Sequence, residues 1–101
     1  MKTDVLRQMA DIHKALSNYI RLAIMRILSA EDRTVNQVVN HIREEYGVKG
    51  MDRTNISKHL GLLKGMGIIS CVSRGQQRVY HLEARCLMSA MECTLGVVKR
   101  K

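Results

Sequence analysis

Residues 52–65, Asp52-Arg53-Thr54-Asn55-Ile56-Ser57-Lys58-His59-Leu60-Gly61-Leu62-Leu63-Lys64-Gly65, decide the fold. Ile56, Leu60 and Leu63 stand at i, i+4 and i+7, which sets them on one side of a helix. Asp52 supplies an N-cap, and Gly65 with Gly67 ends the helix. At about 100° per residue, the side opposite this apolar stripe carries Thr54, Ser57, Lys58 and Gly61, with Arg53 projecting from the first turn. That face holds short donors and acceptors, a cation and a glycine that admits close approach, and no acidic group to repel phosphate. Two uses fit it: a solvated surface, or a helix laid into the major groove of DNA with its side chains at base edges.

The segment that follows weighs on that choice. Ile68–Arg74 and Gln77–Leu82 have the β-branched content of two short strands, and Gly75-Gln76 forms the tip between them. Ser73-Arg74-Gly75-Gln76-Gln77-Arg78 sets two arginines and two amides around this turn, a group suited to straddling a phosphate backbone. Upstream, helical spacing relates Val5, Leu6, Met9, Ile12 and Leu16 in a first helix of about residues 4–16. Ser17-Asn18 caps a second helix with Ile20, Leu22, Ala23, Ile24, Ile27 and Leu28 as its apolar side. Glu31-Asp32-Arg33 reads as a loop, and Thr34 caps a third helix with Val35, Val38, Val39 and Ile42 inward. Gly47-Val48-Lys49-Gly50-Met51 breaks the periodicity before residue 52. A last helix runs from Glu83 to about Val98. The expected fold is mainly α with one β-hairpin, in the order α-α-α-α-β-β-α, within a single domain of 101 residues.

Bulk properties agree with this order. The hydrophobic fraction is 46%, enough for one core, but only 3% is aromatic and Phe and Trp are absent. Leu, Ile, Val and Met must therefore fill the interior, and so short a chain gains from burying further surface in an oligomer. Lys and Arg number 17 against 9 Asp and Glu, a formal charge of +8 that favours a polyanionic partner. No apolar run reaches the roughly 18 residues of a membrane span, and the first residues lack a signal-peptide pattern, so a cytoplasmic location is expected. The three cysteines argue against a disulfide framework.

Three motifs, in order, resemble those of ArsR-type (ArsR/SmtB) winged helix-turn-helix transcriptional repressors. Lys14-Ala15-Leu16-Ser17-Asn18-Tyr19-Ile20-Arg21-Leu22 is similar to the family's KALSNPTRL signature. Asn55 to Leu63 resembles its TVSHHLKLL recognition helix. Gly67-Ile68-Ile69, Arg74-Gly75 and Val79-Tyr80-His81-Leu82 match its wing. The resemblance implies a homodimer held by the first and last helices, a palindromic operator in double-stranded DNA, and repression relieved by an inducer. On that basis the DNA-contacting set is Arg53, Thr54, Asn55, Ser57 and Lys58 on the recognition helix, with Arg74, Gln76 and Arg78 on the wing.

The chain departs from the family in three places. Tyr19 stands where the family has proline and is expected to begin the second helix. The connection before the recognition helix is longer by about seven residues, held in His41–Gly50, with Arg43-Glu44-Glu45-Tyr46 extending the third helix by a turn or two; the surplus either changes how the recognition helix is presented or lengthens a surface loop. The usual metal-sensing positions are empty: Thr34–Tyr46 has no cysteine and Glu83–Lys101 no histidine. His13, His41, His59 and His81 lack zinc-ligand spacing, and His59 is expected to pack and hydrogen-bond. Cys71, Cys86 and Cys93 remain as sensing thiols for a thiophilic metalloid, a metal ion or a redox signal. Cys86 and Cys93 equally suit small core residues on a last helix buried on both faces. No nucleophile–base pair, phosphate loop or paired carboxylates suggest an enzyme. A winged-helix protein-interaction module without specific DNA binding is the alternative to a DNA-binding regulator.

Overall fold

A computed structural model describes residues 1–100. Five helices and three strands follow one another as α1 (Thr3–Ala15), α2 (Tyr19–Ala30), β1 (Arg33–Thr34), α3 (Val35–Glu44), α4 (Arg53–Gly65), β2 (Ile69–Arg74), β3 (Gln77–Leu82) and α5 (Leu87–Lys99). The helix starts follow from side-chain caps. Asn18 Oδ1 accepts from the Ile20 and Arg21 backbone N–H groups, so Tyr19 opens α2 as its sequence position suggested. Thr34 and Gln37 form a reciprocal capping box at α3, and Asp52 accepts from Asn55 N–H at 2.9 Å to start α4. α4 stops in a Schellman turn: Gly67 takes φ +77°, Ile68 N–H donates to Leu63 O and Gly67 N–H to Lys64 O.

The core collects one face from each of α2, α3 and α4 over the inner face of the sheet. Ile24, Leu28, Val38, Ile42, Ile56, Leu60, Leu63 and Leu82 are fully buried, and among the described residues no polar or charged residue is buried. The inward sets read from helical spacing in α3 and α4 are the ones the structure buries.

Four expectations need correction. The hairpin is part of a three-stranded antiparallel sheet in the order β1-β3-β2, because Arg33 and Thr34 pair with Tyr80 and Val79. Two residues carry no period-2 signal, so Arg33 looked like loop. α5 begins at Leu87 and not Glu83, since Glu83 and Ala84 N–H groups turn back to Ile68 O. α3 ends at Glu44, short of the extension to Tyr46, while the surplus residues form the surface loop that was the other expectation, with positive φ at Gly47 and Gly50 and Val48 N–H donating to Ile42 O. Cys86 and Cys93 are exposed within the chain, whereas Met91 is the buried residue of α5. Helical geometry explains the last point: Leu87, Met91 and Leu95 share one side, and the cysteines lie on the other.

Candidate nucleic-acid interface

An open groove of about 910 Å³ lies between the start of α3, the outer side of α4 and the hairpin. Thr34, Val35 and Asn36 form one end; Arg53, Ser57, Gly61, Lys64 and Gly65 form the α4 wall; Gln76, Gln77, Arg78 and Tyr80 form the other wall. Its charged residues are Arg53, Lys64 and Arg78, with no carboxylate among them. The first turn of α3 adds the positive end of a helix dipole. Such a surface attracts a polyanion from several directions at once.

Burial of Ile56, Leu60 and Leu63 turns Arg53, Thr54, Ser57, Lys58, Gly61 and Lys64 outward, and all six are exposed. A Cβ built on Gly61 would meet nothing within 4 Å, so no packing inside this chain requires a glycine there. Thr54 and Lys58 stand on the crest of α4, outside the groove wall. Asn55 is half-buried on the opposite flank, beside His59, and its backbone serves the Asp52 cap. It is the recognition-helix residue that the fold turns furthest from the groove.

The hairpin divides its two arginines. Cys71 pairs with Tyr80 and Ser73 with Arg78, and these rungs share the face toward α4. Arg74 belongs to the alternate face with Val72, which is 53% exposed, and does not line the groove. At the tip, Gly75 takes φ +64° ahead of Gln76 with ordinary φ, a combination that only glycine adopts freely in a two-residue hairpin loop. Tyr80 is buried at the foot of the groove, and burial pushes its phenol pKa up, helped by Cys71 and opposed by Arg78. The phenol therefore stays neutral, with its oxygen an acceptor toward Arg78.

His59 behaves as a packing residue. Arg21 Nε donates to His59 Nδ1 at 3.2 Å, and burial first, then Arg21, lowers its pKa below 6.5. This contact ties α4 to α2. His41 and His81 each meet a carboxylate at 2.7 Å, Glu45 and Asp32 respectively, and among the described residues no group of three His, Cys, Asp or Glu side chains has a metal-holding arrangement. Cys71 is half-buried on β2, on a different element from the exposed thiols of Cys86, at the start of α5, and Cys93 within it. Asn36 and Lys64 are groove residues that sequence reasoning missed, and Gln77, one of the two tip amides noted there, also lines the groove. Lys64 was detectable, since it follows Ser57 by seven residues and Arg53 by eleven on the same helical side. Asn36 was not, because its place depends on how α3 meets the hairpin.

No protein-family model matches the chain. It is similar to the transcriptional repressor SdpR of Bacillus subtilis, at 26% identity over 91% of this chain and 94% of that protein. It is 23% identical to Rv0081 of Mycobacterium tuberculosis, an uncharacterized HTH-type transcriptional regulator, over 90% of this chain and 75% of that one. Its structure resembles Mb0332 of Mycobacterium bovis with a TM-score of 0.75 and 25% identity, covering 95% of this chain and 82% of that chain. The Mb0332 structure is described as a homodimeric winged helix-turn-helix DNA-binding domain and a possible ArsR-family transcriptional regulator.

Proposed function

We propose that this chain, a winged helix-turn-helix transcriptional regulator of the ArsR/SmtB family, represses transcription by binding an inverted-repeat operator as a homodimer. The observation that carries the reading is the acid-free groove shared by α3, α4 and the wing. α4 enters the major groove with Arg53, Thr54, Ser57 and Lys58 toward base edges and nearby phosphates. Arg78 and Gln76 hold the backbone from inside the wing, Arg74 reaches it from outside, and Lys64 with the α3 N-terminus adds phosphate contacts. Asn55, half-buried on the flank of α4 away from the groove, is the least directly placed of the proposed DNA contacts. Two-fold symmetry puts a second α4 about 34 Å away, one helical turn along the duplex. α1 and α5 supply the dimer contacts. The activity is binding, not turnover, and we place it in the cytoplasm; no helix among the described residues is long and apolar enough to cross a membrane.

Release of the operator is assigned to the exposed thiols Cys86 and Cys93, within reach of a thiophilic metalloid or an oxidant. Cys71 is the less accessible of the three. Serine at both Cys86 and Cys93 should leave operator affinity intact and abolish release by arsenite, sulfane sulfur or peroxide. Unchanged release would remove these thiols as the sensor.

Anisotropy titrations of duplex DNA across a salt series test the core of the proposal. Lys58→Ala should reduce both affinity and discrimination between operator and random duplex, whereas loss of a purely phosphate-binding group should weaken both alike and lower the salt slope by about one. Salt-independent or absent binding of the wild-type protein would instead support a protein-interaction module.

A further inference from the structure

The long loop between α3 and α4 lines no part of the groove shared by α3, α4 and the wing. It is nevertheless held at both ends. Val48 N–H donates to Ile42 O at 3.2 Å, and the Val48 and Met51 side chains pack against the core. Between these anchors Lys49 and Gly50 are exposed, and Gly50 turns the chain at φ +81°. A tip fixed on both sides loses little further freedom when it binds something. Its one charge is the Lys49 ammonium, because Tyr46-Gly47-Val48-Lys49-Gly50-Met51 contains no carboxylate. The flanking acids are engaged or set back. Glu45 meets His41 at 2.7 Å, Asp52 accepts from the Asn55 N–H at 2.9 Å, and Glu44 belongs to the last turn of α3. Among the described residues Lys49 enters no ion pair.

We propose that Lys49 of each copy binds the phosphate backbone at the centre of the operator, between the two half-sites. This inference rests on the homodimeric DNA-binding reading and adds a contact outside the recognition helix and the wing. Position argues for it. On one side the loop borders α5, since Tyr46 and Val48 line a cleft together with Met91, Leu95 and Val98. On the other it leads straight into Asp52, the cap of α4. In a dimer joined through α5, the first side faces the two-fold axis. The N-terminal residues of a recognition helix are the ones that meet base edges. A segment linking these two places therefore passes over the duplex between the half-sites. The wing lies along the flank of α4 that forms the acid-free groove, and is left to the outer part of each half-site. Reach is sufficient. Half-site centres about 34 Å apart put the axis about 17 Å from each. Half of the 13-residue α4 covers about 10 Å of this. Three residues of chain, from Asp52 back to Lys49, span up to about 10 Å more. The chemistry fits as well, because an ammonium binds a phosphate oxygen as a point charge and needs no bidentate geometry. A shorter connection would leave this place empty, so the contact belongs to the surplus loop and not to the fold.

Duplexes that the wild-type protein selects from a random-sequence pool supply the probe. In a Cys71→Ser/Cys86→Ser/Cys93→Ser background, Lys49→Cys and, separately, Ser73→Cys on the wing are coupled to iron–EDTA. The Lys49→Cys conjugate should cut the selected repeat at its centre, and the Ser73→Cys conjugate should cut its outer parts. Lys49→Ala, its fold checked by circular dichroism, should lower the salt slope by about one for each copy bound, and Lys49→Arg should restore it. Methylphosphonates at the central steps should weaken binding of the wild-type protein and leave Lys49→Ala unaffected. Either a missing central cut or an unchanged slope in Lys49→Ala would overturn the inference, and outer cutting by the Ser73→Cys conjugate would then show that operator binding still stands. If no repeat is selected and neither conjugate cuts, the DNA-binding reading and the inference fall together.

Discussion

Arg78 and Arg74 lie four residues apart in sequence and on opposite faces of one hairpin, and this separates their expected effects. Arg78 shares the groove with Arg53 and Lys64 and sits near a neutral Tyr80 phenol. Its replacement by alanine should lower the salt slope of duplex binding by about one, and Arg74→Ala should lower it less. Gly61 gives a second residue-scale outcome. Glycine inside a helix costs about 1 kcal/mol against alanine, and a Cβ here meets nothing in the chain. Gly61→Ala should therefore raise thermal stability yet weaken binding, because the added methyl projects where DNA approaches. If it strengthens both, the surface of α4 has been misassigned. His59 supplies the pH dependence. Its folded pKa lies below 6.5, with burial as the main cause, so below pH 6.5 the unfolded chain takes up the proton first. The stability His59 contributes is complete above that pH and is lost as pH falls toward the folded value. Melting temperatures should drop between pH 7.5 and 5.5, and His59→Gln should flatten the drop.

At the scale of elements, helix ends matter more than helix middles. Asp52 fixes where α4 begins, hence which side chains Arg53 to Lys58 present. Asp52→Ala should cost about 1 kcal/mol in denaturant unfolding and reduce duplex affinity more than the lost stability alone explains. The extents of α2, α3 and α4 were legible in the sequence because apolar spacing and caps agree there: Asn18, Thr34 and Asp52 each precede a periodic run. β1 was illegible because it exists only by pairing with β3, a contact made across more than forty residues. The start of α5 was misplaced for a related reason, since Glu83 and Ala84 spend their N–H groups on Ile68 and not on a helix. Within the site, the exposed side of α4 could be read from one helix alone. The division of Arg74 from Arg78 needed strand register, and Asn36 needed the junction of α3 with the wing.

The whole molecule is less compact than its length allows. Its radius of gyration is 14.3 Å, against about 13 Å for a compact chain of 100 residues. The exposed apolar residues Val5, Leu6 and Met9 of α1 are surface that a homodimer would be expected to cover. Thermal stability should accordingly depend on protein concentration, with a lower midpoint on hundredfold dilution measured by circular dichroism; a constant midpoint would mean that the folded state of one copy stands by itself. The exposure of Cys86 and Cys93 was hidden from the sequence for the same reason that α1 was informative. Apolar patterning marks what must be covered without saying which chain covers it.

Thr34 joins two of these scales. The same residue caps α3 through its hydroxyl and pairs with Val79 through its backbone. Thr34 thus ties the start of α3 to the wing, so the two cannot be tilted independently. A duplex seated there is gripped as by a caliper with a locked jaw. The protein will favour sequences whose grooves already have the right width, or whose steps bend cheaply to it, even at base pairs no side chain touches.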